Sequence, residues 1–136
     1  MYSINLSDTI NSIGSSAFQY CYRFSINRIP NKVTAIESYT FYNTGISSIT
    51  VHSGITSIGD YAFRGCSGLT SITIPDSVTS IGNSAFYDCS GLTKVNITDI
   101  KAWCEIDFVN NQSNPLFYAR NLYLNGSMVT NLEIPV

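Results

Sequence analysis

A short phrase of apolar and small residues returns along most of the chain at an almost constant spacing. The pattern Ile-Gly-x-x-Ala-Phe begins at Ile13, Ile58 and Ile81, and a degraded copy begins at Ile36. The starting positions differ by 36 − 13 = 23, 58 − 36 = 22 and 81 − 58 = 23. A period of this length is typical of repeat proteins, in which each repeat is one supersecondary unit. The chain is therefore predicted to be a stack of similar coils.

A second pattern runs in step with the first and predicts one strand in each coil. Two apolar residues flank a third residue at Ile4/Leu6, Ile49/Val51, Ile72/Ile74, Val95/Ile97 and Leu132/Ile134, and a weak copy lies at Asn27/Ile29. Alternation with period two predicts a strand whose apolar side chains face inward. With the weak copy counted, six repeats are expected.

The best copy, "LTSITIPDSVTSIGNSAFYDCSG" at residues 69–91, predicts the course of one coil. "TSITIP" is a strand that Pro75 ends, "VTSIG" is a second short extended segment, and "NSAFYDC" has the composition of a single helical turn. One coil buries too few apolar side chains to offset the entropy of ordering its backbone, so coils must stack through parallel strand ladders. The predicted fold class is an α/β solenoid, mostly parallel β with short helical turns.

The same stretch resembles the consensus of the BspA-type leucine-rich repeat, which occurs in surface proteins of gut and oral bacteria and in some protozoan parasites. The resemblance covers residues 2–97 and rests on "SITIPDSVTSIG" followed by "AF" and Cys at fixed offsets. It implies a right-handed leucine-rich repeat solenoid. The range 1–97 is accordingly assigned to BspA-type repeats with a period of about 23 residues.

The tail of the chain departs from the period. The step from Ile97 to Ile134 is 134 − 97 = 37, against 97 − 74 = 23 in the preceding coil, so the surplus of 37 − 23 = 14 is expected to protrude. The range 98–131 is predicted to form an irregular inserted module with short helices and a hairpin, and the range 132–136 to start a further truncated repeat. "TDIKAWCEIDF" and "SNPLFYARNLYLNG" resemble a module that interrupts such arrays in Bacteroides-like proteins.

Local signals predict the elements of this module. "TDIKAWC" predicts a short helix capped by Thr98 or Asp99, and "EIDF" predicts a strand. "SNPLFYA" predicts a helical turn with Asn114 as its cap and Pro115 at its first position. The pair Asn125-Gly126 indicates a tight turn between two strands.

Residues able to carry catalysis or hold a metal are few and scattered. His52 is the one histidine and takes the repeat position of Pro75, where a surface turn is expected. A catalytic or metal-binding histidine needs partners that no motif supplies. The acidic residues fall at dispersed turn positions and lack the spacing of a calcium site. The chain is therefore expected to be no enzyme and to need no cofactor or metal.

Three of the four cysteines, Cys21, Cys66 and Cys89, occupy one repeat position. They are expected to form a column of free buried thiols that pack as small hydrophobic groups. Cys66 and Cys89 lie one coil apart, so a bridge between them stays open as an alternative. Cys104 follows Ile81 by one period (104 − 81 = 23) and is expected to continue an isoleucine column.

Charge and hydropathy exclude several classes of partner. Seven Lys plus Arg are scattered against nine Asp plus Glu, for a net charge of −2, so no basic stripe for nucleic acid exists. No apolar run approaches the roughly 20 residues that span a bilayer, so membrane insertion is not expected. The first residues lack the pattern of a signal peptide, and both ends cut into a repeat. We expect a piece of a longer protein, with possible end-to-end self-association through uncapped ends.

Strand alternation leaves a strip of mostly short polar side chains facing outward. This predicted strip consists of Asn5, Arg28, Ser48, Thr50, Ser71, Thr73, Lys94, Asn96 and Glu133. A flat polar ladder suits a broad contact with a protein or a glycan, and nothing predicts an apolar pocket. The module's aromatic residues form a second candidate patch, although most are expected to cover the core: Trp103, Phe108, Phe117, Tyr118 and Tyr123.

Two functional hypotheses follow. The resemblance implies a non-catalytic binding module of a bacterial cell-surface or secreted leucine-rich repeat protein, which adheres to host protein, to host glycan or to other microbes. The alternative is a structural spacer in a larger surface protein, because the predicted strip has almost no aromatic or arginine anchors of the kind that dominate interfaces.

Overall fold

A computed structural model describes residues 2–130 of the chain. The strands are β1 (Tyr2–Ser3), β2 (Phe24–Ser25), β3 (Ala35–Ile36), β4 (Ser57–Ile58), β5 (Ser71–Ile74), β6 (Ser80–Ile81), β7 (Lys94–Ile97), β8 (Asp107–Phe108), β9 (Leu122–Leu124) and β10 (Ser127–Met128). The helices are α1 (Ile100–Cys104), a 3-10 helix (Asn111–Ser113) and α2 (Leu116–Ala119). None of the helices described is long and apolar enough to cross a bilayer.

The strands stack in parallel ladders that run along a solenoid of about five turns. One ladder has the order β5-β7-β9, and β10 closes it as an antiparallel hairpin. The other has the order β3-β4-β6-β8. The register pairs Ile72 with Val95 and Ser57 with Ser80, so equivalent residues of successive repeats lie side by side. The parallel-strand solenoid predicted from the period is therefore confirmed.

The short helical turns predicted within the repeats are not confirmed. Between residues 2 and 97, all of which the structure describes, these segments form a series of turns and no helix. The reason is a pair of left-handed residues in each segment, such as Tyr61 (φ 57°) and Gly65 (φ 73°). A left-handed residue cannot continue a right-handed helix. The same pair recurs at Ser84 (φ 50°) and Asp88 (φ 61°).

These turns make a third hydrogen-bonded ladder. The N–H groups of Tyr61, Phe63 and Gly65 donate to the carbonyls of Asn83, Ala85 and Tyr87 in the next coil, at 2.8 to 2.9 Å. The alternate N–H groups of Ala62, Arg64 and Cys66 donate within their own coil to the third residue before them. All six of these backbone N–H groups are therefore hydrogen-bonded without forming an α-helix.

The core is a set of columns that run through the coils. Phe18, Phe41, Phe63 and Phe86 stack with ring centroids 5.2 to 5.7 Å apart. The inward residues predicted for β5 and β7 are buried, namely Ile72, Ile74, Val95 and Ile97. The same prediction is wrong at Ile4, which is 43% exposed, because the described part of the chain pairs β1 with β2 only.

The segment after Ile97 extends the ladders instead of protruding from them. Phe108 in β8 pairs with Ile81, and Leu122 in β9 pairs with Val95. The step from Val95 to Leu122 is 122 − 95 = 27, against 95 − 72 = 23 in the preceding coil, so this coil is only slightly longer. The expected protrusion is therefore wrong. The strand expected at Leu132 and Ile134 lies outside the described residues.

Short polar contacts shape this longer coil. Asp99 is the N-cap of α1, where its carboxylate accepts the Ala102 N–H at 2.7 Å. Asn114 Oδ1 accepts the Leu116 N–H at the start of α2 at 2.9 Å. Asn125 (φ 48°) and Gly126 (φ 87°) make the turn between β9 and β10. Cys104 is exposed at the end of α1, so it does not continue the isoleucine column, and Phe108 takes that place. The boundaries at residues 97 and 131 stay predictions.

Candidate binding surface

The outward side of the ladder β5-β7-β9 presents part of the predicted strip. Ser71 and Thr73 alternate with the buried Ile72 and Ile74, and they are half-buried. They pair across the ladder with Lys94 and Asn96, which alternate in the same way on β7. The structure thus brings these four residues together in two adjacent rows.

The earlier coils carry the strip onward with looser pairing. Arg28 and Thr50 form a single parallel bridge, whereas β5 and β7 pair along their whole length. Ser48 and Thr50 are exposed. Asn5 is exposed on the first coil, and Glu133 lies outside the described residues.

An open pocket of about 380 Å³ lies in this side of the solenoid. Its lining combines five residues of the predicted strip with three others: Arg28, Ser48, Thr50, Ser71 and Thr73, together with Asn27, Ile49 and Ile72. The strip is therefore less flat than expected, and the pocket is an open one lined mainly by polar residues and not an apolar cavity. Short Ser and Thr side chains stand beside the longer Arg28, and this difference in length leaves a concavity that residue type alone does not reveal.

The cations of this surface are already engaged. Arg28 Nη1 donates to Asp8 Oδ1 at 2.8 Å, and its Nη2 donates to the Leu6 carbonyl at 3.2 Å. The Lys94 ammonium lies 4.2 Å from the centroid of the Tyr123 ring. The surface therefore offers mainly neutral hydroxyl and amide groups, which suit hydrogen bonding to a polar partner.

Groups that could carry catalysis have structural partners. His52 Nε2 lies 3.0 Å from the Pro30 carbonyl, and its Nδ1 accepts the Gly54 N–H at 3.0 Å. Both ring nitrogens therefore contact backbone groups of turns. Throughout residues 2–130, no group of three or more His, Cys, Asp or Glu side chains could hold a metal ion.

The cysteine column is a row of free, hydrogen-bonded thiols. Cys66 and Cys89 are buried, and their S–H groups donate to the carbonyls of Phe41 at 3.0 Å and Phe63 at 3.1 Å. Thr44 fills the column position between Cys21 and Cys66, with its hydroxyl 3.4 Å from the Cys66 sulfur. Burial raises the pKa of the Cys66 thiol to about 11 and that of Cys89 well above its usual value. Such thiols are poor nucleophiles.

The aromatic residues of the module divide between core and surface. Trp103 is buried and meets the half-buried Phe108 edge to face at 5.2 Å. Tyr118 is half-buried and its hydroxyl accepts the Asp88 N–H at 3.0 Å, while Tyr123 lies under Lys94. Phe117 is 47% exposed.

Sequence reasoning missed a cluster on the turn side of the solenoid. This tyrosine–arginine cluster consists of Tyr20, Tyr39, Tyr42, Tyr61, Arg64 and Tyr87. A signal was present, because Tyr42, Arg64 and Tyr87 recur at the repeat period (64 − 42 = 22 and 87 − 64 = 23), as do Tyr39 and Tyr61 (61 − 39 = 22). Equivalent positions of a solenoid become neighbours.

The parallel ladders, the stacked columns and the outward polar rows define a solenoid repeat protein. Its repeats match the BspA type leucine rich repeat region in six copies across residues 1–114. The chain therefore belongs to the BspA-type leucine-rich repeat family, whose members are in general protein-interaction modules and not enzymes.

Two solved structures share the fold. A leucine-rich repeat protein from Bacteroides ovatus is 25% identical with a TM-score of 0.55, over 71% of this chain and 33% of that chain. The T. pallidum leucine-rich repeat protein is 21% identical with a TM-score of 0.55, over 69% of this chain and 57% of that chain. The chain thus spans a third to somewhat more than half of these relatives. No curated protein matches it.

Proposed function

We propose that the chain is a non-catalytic binding module of a bacterial cell-surface or secreted protein, and that it binds an extracellular protein or glycan. The observation that carries this proposal is the open pocket between the rows of Arg28, Thr50 and Thr73. Membership of a family of interaction modules supports it.

The contacts of the pocket residues favour a polar partner. Arg28 is held by Asp8 and by the Leu6 carbonyl, so its position is set before any ligand arrives. The hydroxyls of Ser48 and Thr50 are on exposed residues. Interfaces commonly carry about one hydrogen bond per 100 to 200 Å², and exposed hydroxyls supply both donors and acceptors for such bonds. Preorganised side chains also lower the entropy lost on binding.

The experiment is biolayer interferometry of the chain against matrix proteins and mucin-type glycans. The test variant, Thr50→Glu/Thr73→Glu, places two charges in the pocket. The matched control, Thr56→Glu/Thr79→Glu, places two charges on exposed residues beside the other ladder. We expect the test variant to lose at least tenfold in affinity and the control to bind as the parent does, with circular dichroism unchanged in both.

A spacer is the second candidate, and one observation favours it. The phenylalanine stack from Phe18 to Phe86 and the parallel ladder β3-β4-β6-β8 each continue across several coils, which suits a rod that sets a distance. If the folded parent chain binds no member of the panel, the result would favour the spacer function over the binding function. Equal losses in both double variants would also contradict a site at the pocket.

A further inference from the structure

The tyrosine–arginine cluster lies on the turn side of the coils, apart from the pocket residues. Arg64 Cζ lies 4.9 Å from the ring centroid of Tyr87, 5.5 Å from that of Tyr61 and 5.7 Å from that of Tyr42. Tyr39 stacks on Tyr61 at 4.9 Å. Tyrosine and arginine are the side chains most enriched at the centres of protein interfaces, and the strand side largely lacks them.

The backbone of the turn ladder holds these side chains in place. Tyr61 and Arg64 belong to one turn, and their coil is bonded to its neighbours by the Tyr39 N–H donating to Asp60 O and the Tyr61 N–H donating to Asn83 O, both at 2.9 Å. Tyr61 is anchored further because its hydroxyl accepts from Asn83 Nδ2 at 3.1 Å. These bonds fix the backbone of the turn and the ring of Tyr61 before a partner arrives, which favours affinity.

The guanidinium of Arg64 has no anionic partner in the described chain. The ion pairs there join Arg28 to Asp8 and Lys101 to Glu105, and no side-chain hydrogen bond from Arg64 is found among these residues. Three aromatic rings pack against the cation and leave its N–H donors without a protein acceptor. The natural complement of such donors is a planar bidentate acceptor, and a carboxylate has that geometry.

The groups around Arg64 favour a protein carboxylate over other anions and over sugars. Arg64 is a single cation, and the exposed Asp60 and Asp88 adjoin Tyr61 and Tyr87 in the chain. The cluster therefore cannot neutralise a polyanion such as nucleic acid or a sulfated polysaccharide, whereas a lone carboxylate needs only one cation. Sugars stack on open aromatic faces, but Tyr61 is flanked by Arg64 and Tyr39, and Tyr87 has one face turned to Arg64. The hydroxyls of Tyr39 and Tyr87 have no described partner and are not buried.

We infer that the tyrosine–arginine cluster is a second binding surface, which takes a single aspartate or glutamate side chain of a partner protein. Arg64 receives the carboxylate through paired N–H donors. The hydroxyls of Tyr39 and Tyr87 donate to the partner's polar groups, and the ring edges cover its neighbouring apolar side chains. This surface is independent of the pocket on the strand side.

The test uses displayed heptapeptide libraries selected on the full chain. Three libraries carry a fixed central Glu, Gln or Lys, and the other positions are random but exclude Asp and Glu. We expect only the Glu library to yield binders. Arg64→Gln should weaken the selected peptides at least about tenfold, because a charge-assisted bidentate contact is lost. Arg64→Lys should recover only part of the affinity, since lysine restores the positive charge but not the paired N–H donors of the guanidinium. Tyr87→Phe, which keeps the ring and removes the hydroxyl, should weaken binding by a smaller factor.

Controls and contrary outcomes are defined by matched variants. Lys32→Gln removes the same charge at an exposed turn elsewhere and should leave binding unchanged, as should Thr50→Glu/Thr73→Glu. Equal enrichment of the Gln library, or unchanged binding by a folded Arg64→Gln chain, would overturn the inference. Arg64-dependent binding of a sialylated glycan, or Arg64-dependent dimers in sedimentation, would overturn it in favour of those occupants.

Discussion

The coils at residues 57–97 and the first coil at residues 2–23 share one repeat pattern, but their side chains are buried to different extents. Phe63, Phe86 and Cys89 have no exposed surface. In the first coil Tyr2 is 72% exposed and Ile4 is 43% exposed. The pattern therefore does not bury a side chain by itself. Complete burial needs a coil on each side: Ile13 of the first coil keeps 8% exposure, whereas its equivalent Ile81 keeps none.

One repeat position shows the same contrast at the backbone. A Cβ added at Gly82 would lie 2.6 Å from the Asp60 nitrogen, and one at Gly59 would lie 2.6 Å from the Ser38 nitrogen. At Gly14, the equivalent position of the first coil, nothing lies within 4 Å. The inner coils thus leave no room for a Cβ at Gly59 and Gly82, whereas the second coil carries Glu37 at this position.

The largest effect is expected in the phenylalanine stack. Phe63 lies between Phe41 at 5.4 Å and Phe86 at 5.2 Å, so Phe63→Ala should lower the free energy of unfolding by about 3 to 5 kcal/mol. Phe18→Ala, at a half-buried site of the first coil, should lower it by about 1 to 2 kcal/mol. Urea unfolding followed by circular dichroism measures both. Equal losses would mean that the two coils are equally packed.

The thiol column should make the inner coils sensitive to alkali. The pKa of Cys66 is raised by burial to about 11, so the folded state disfavours the thiolate that the unfolded chain forms from about pH 9. Through Cys66 alone, stability should hold below pH 9 and fall by about 2 to 3 kcal/mol as the pH rises to 11. Cys66→Ala should remove this part of the pH dependence. Cys104→Ala, at an exposed site, should leave the slope of the parent, and a slope shared by all three proteins would exclude Cys66 as its source.

The glycine position gives a sharper version of the same contrast. Gly82→Ala should destabilise the chain by about 1 to 3 kcal/mol, because the new methyl group overlaps the backbone of the coil below. Gly14→Ala should be neutral, or stabilising by about 0.4 to 1 kcal/mol through the unfolded state. Thermal unfolding of the pair is the measurement. A destabilised Gly14→Ala chain would show that the first coil is packed more tightly than its exposure indicates.

The smallest effect concerns the ion pair that joins the first coil to the second. Asp8→Asn removes the partner of Arg28, but both side chains are substantially exposed, so the loss should be about 0.2 to 1 kcal/mol. It should shrink in high salt because exposed charges are screened. Asp107→Asn, an exposed aspartate without an ion pair in the described chain, is the matched control. A salt-independent loss larger than that of Phe18→Ala would reverse the expected order.

Repeat logic predicted the ladder well and the turns poorly. The alternation of Ile72 and Ile74 with Ser71 and Thr73 correctly predicted the buried and outward side chains of β5, because successive residues of a strand point to opposite faces. The turns containing Phe63 and Phe86 looked helical by composition. Their left-handed residues arise where a coil must bend and still donate to its neighbour, and local propensity does not contain that demand.

The candidate surfaces show the same limit. Arg28, Ser48, Thr50, Ser71 and Thr73 were identified as outward residues, and the structure places all five around one pocket. Whether they bind a partner stays a prediction. The pocket itself depends on how far each side chain extends beside its neighbours in other coils. The position of Arg64 among three rings likewise depends on contacts between different coils.

Recurrence along the chain was enough to specify the period and the inward columns of the inner coils, and the recurring residues carried the resemblance to the family. These properties follow from which residues recur, and recurrence is visible along one dimension. Packing in three dimensions set how deeply the first coil is covered, which turns become left-handed, where the pocket opens and what surrounds Arg64. Each of these depends on the distance between neighbouring coils, and that distance is set by packing and hydrogen bonds across the stack.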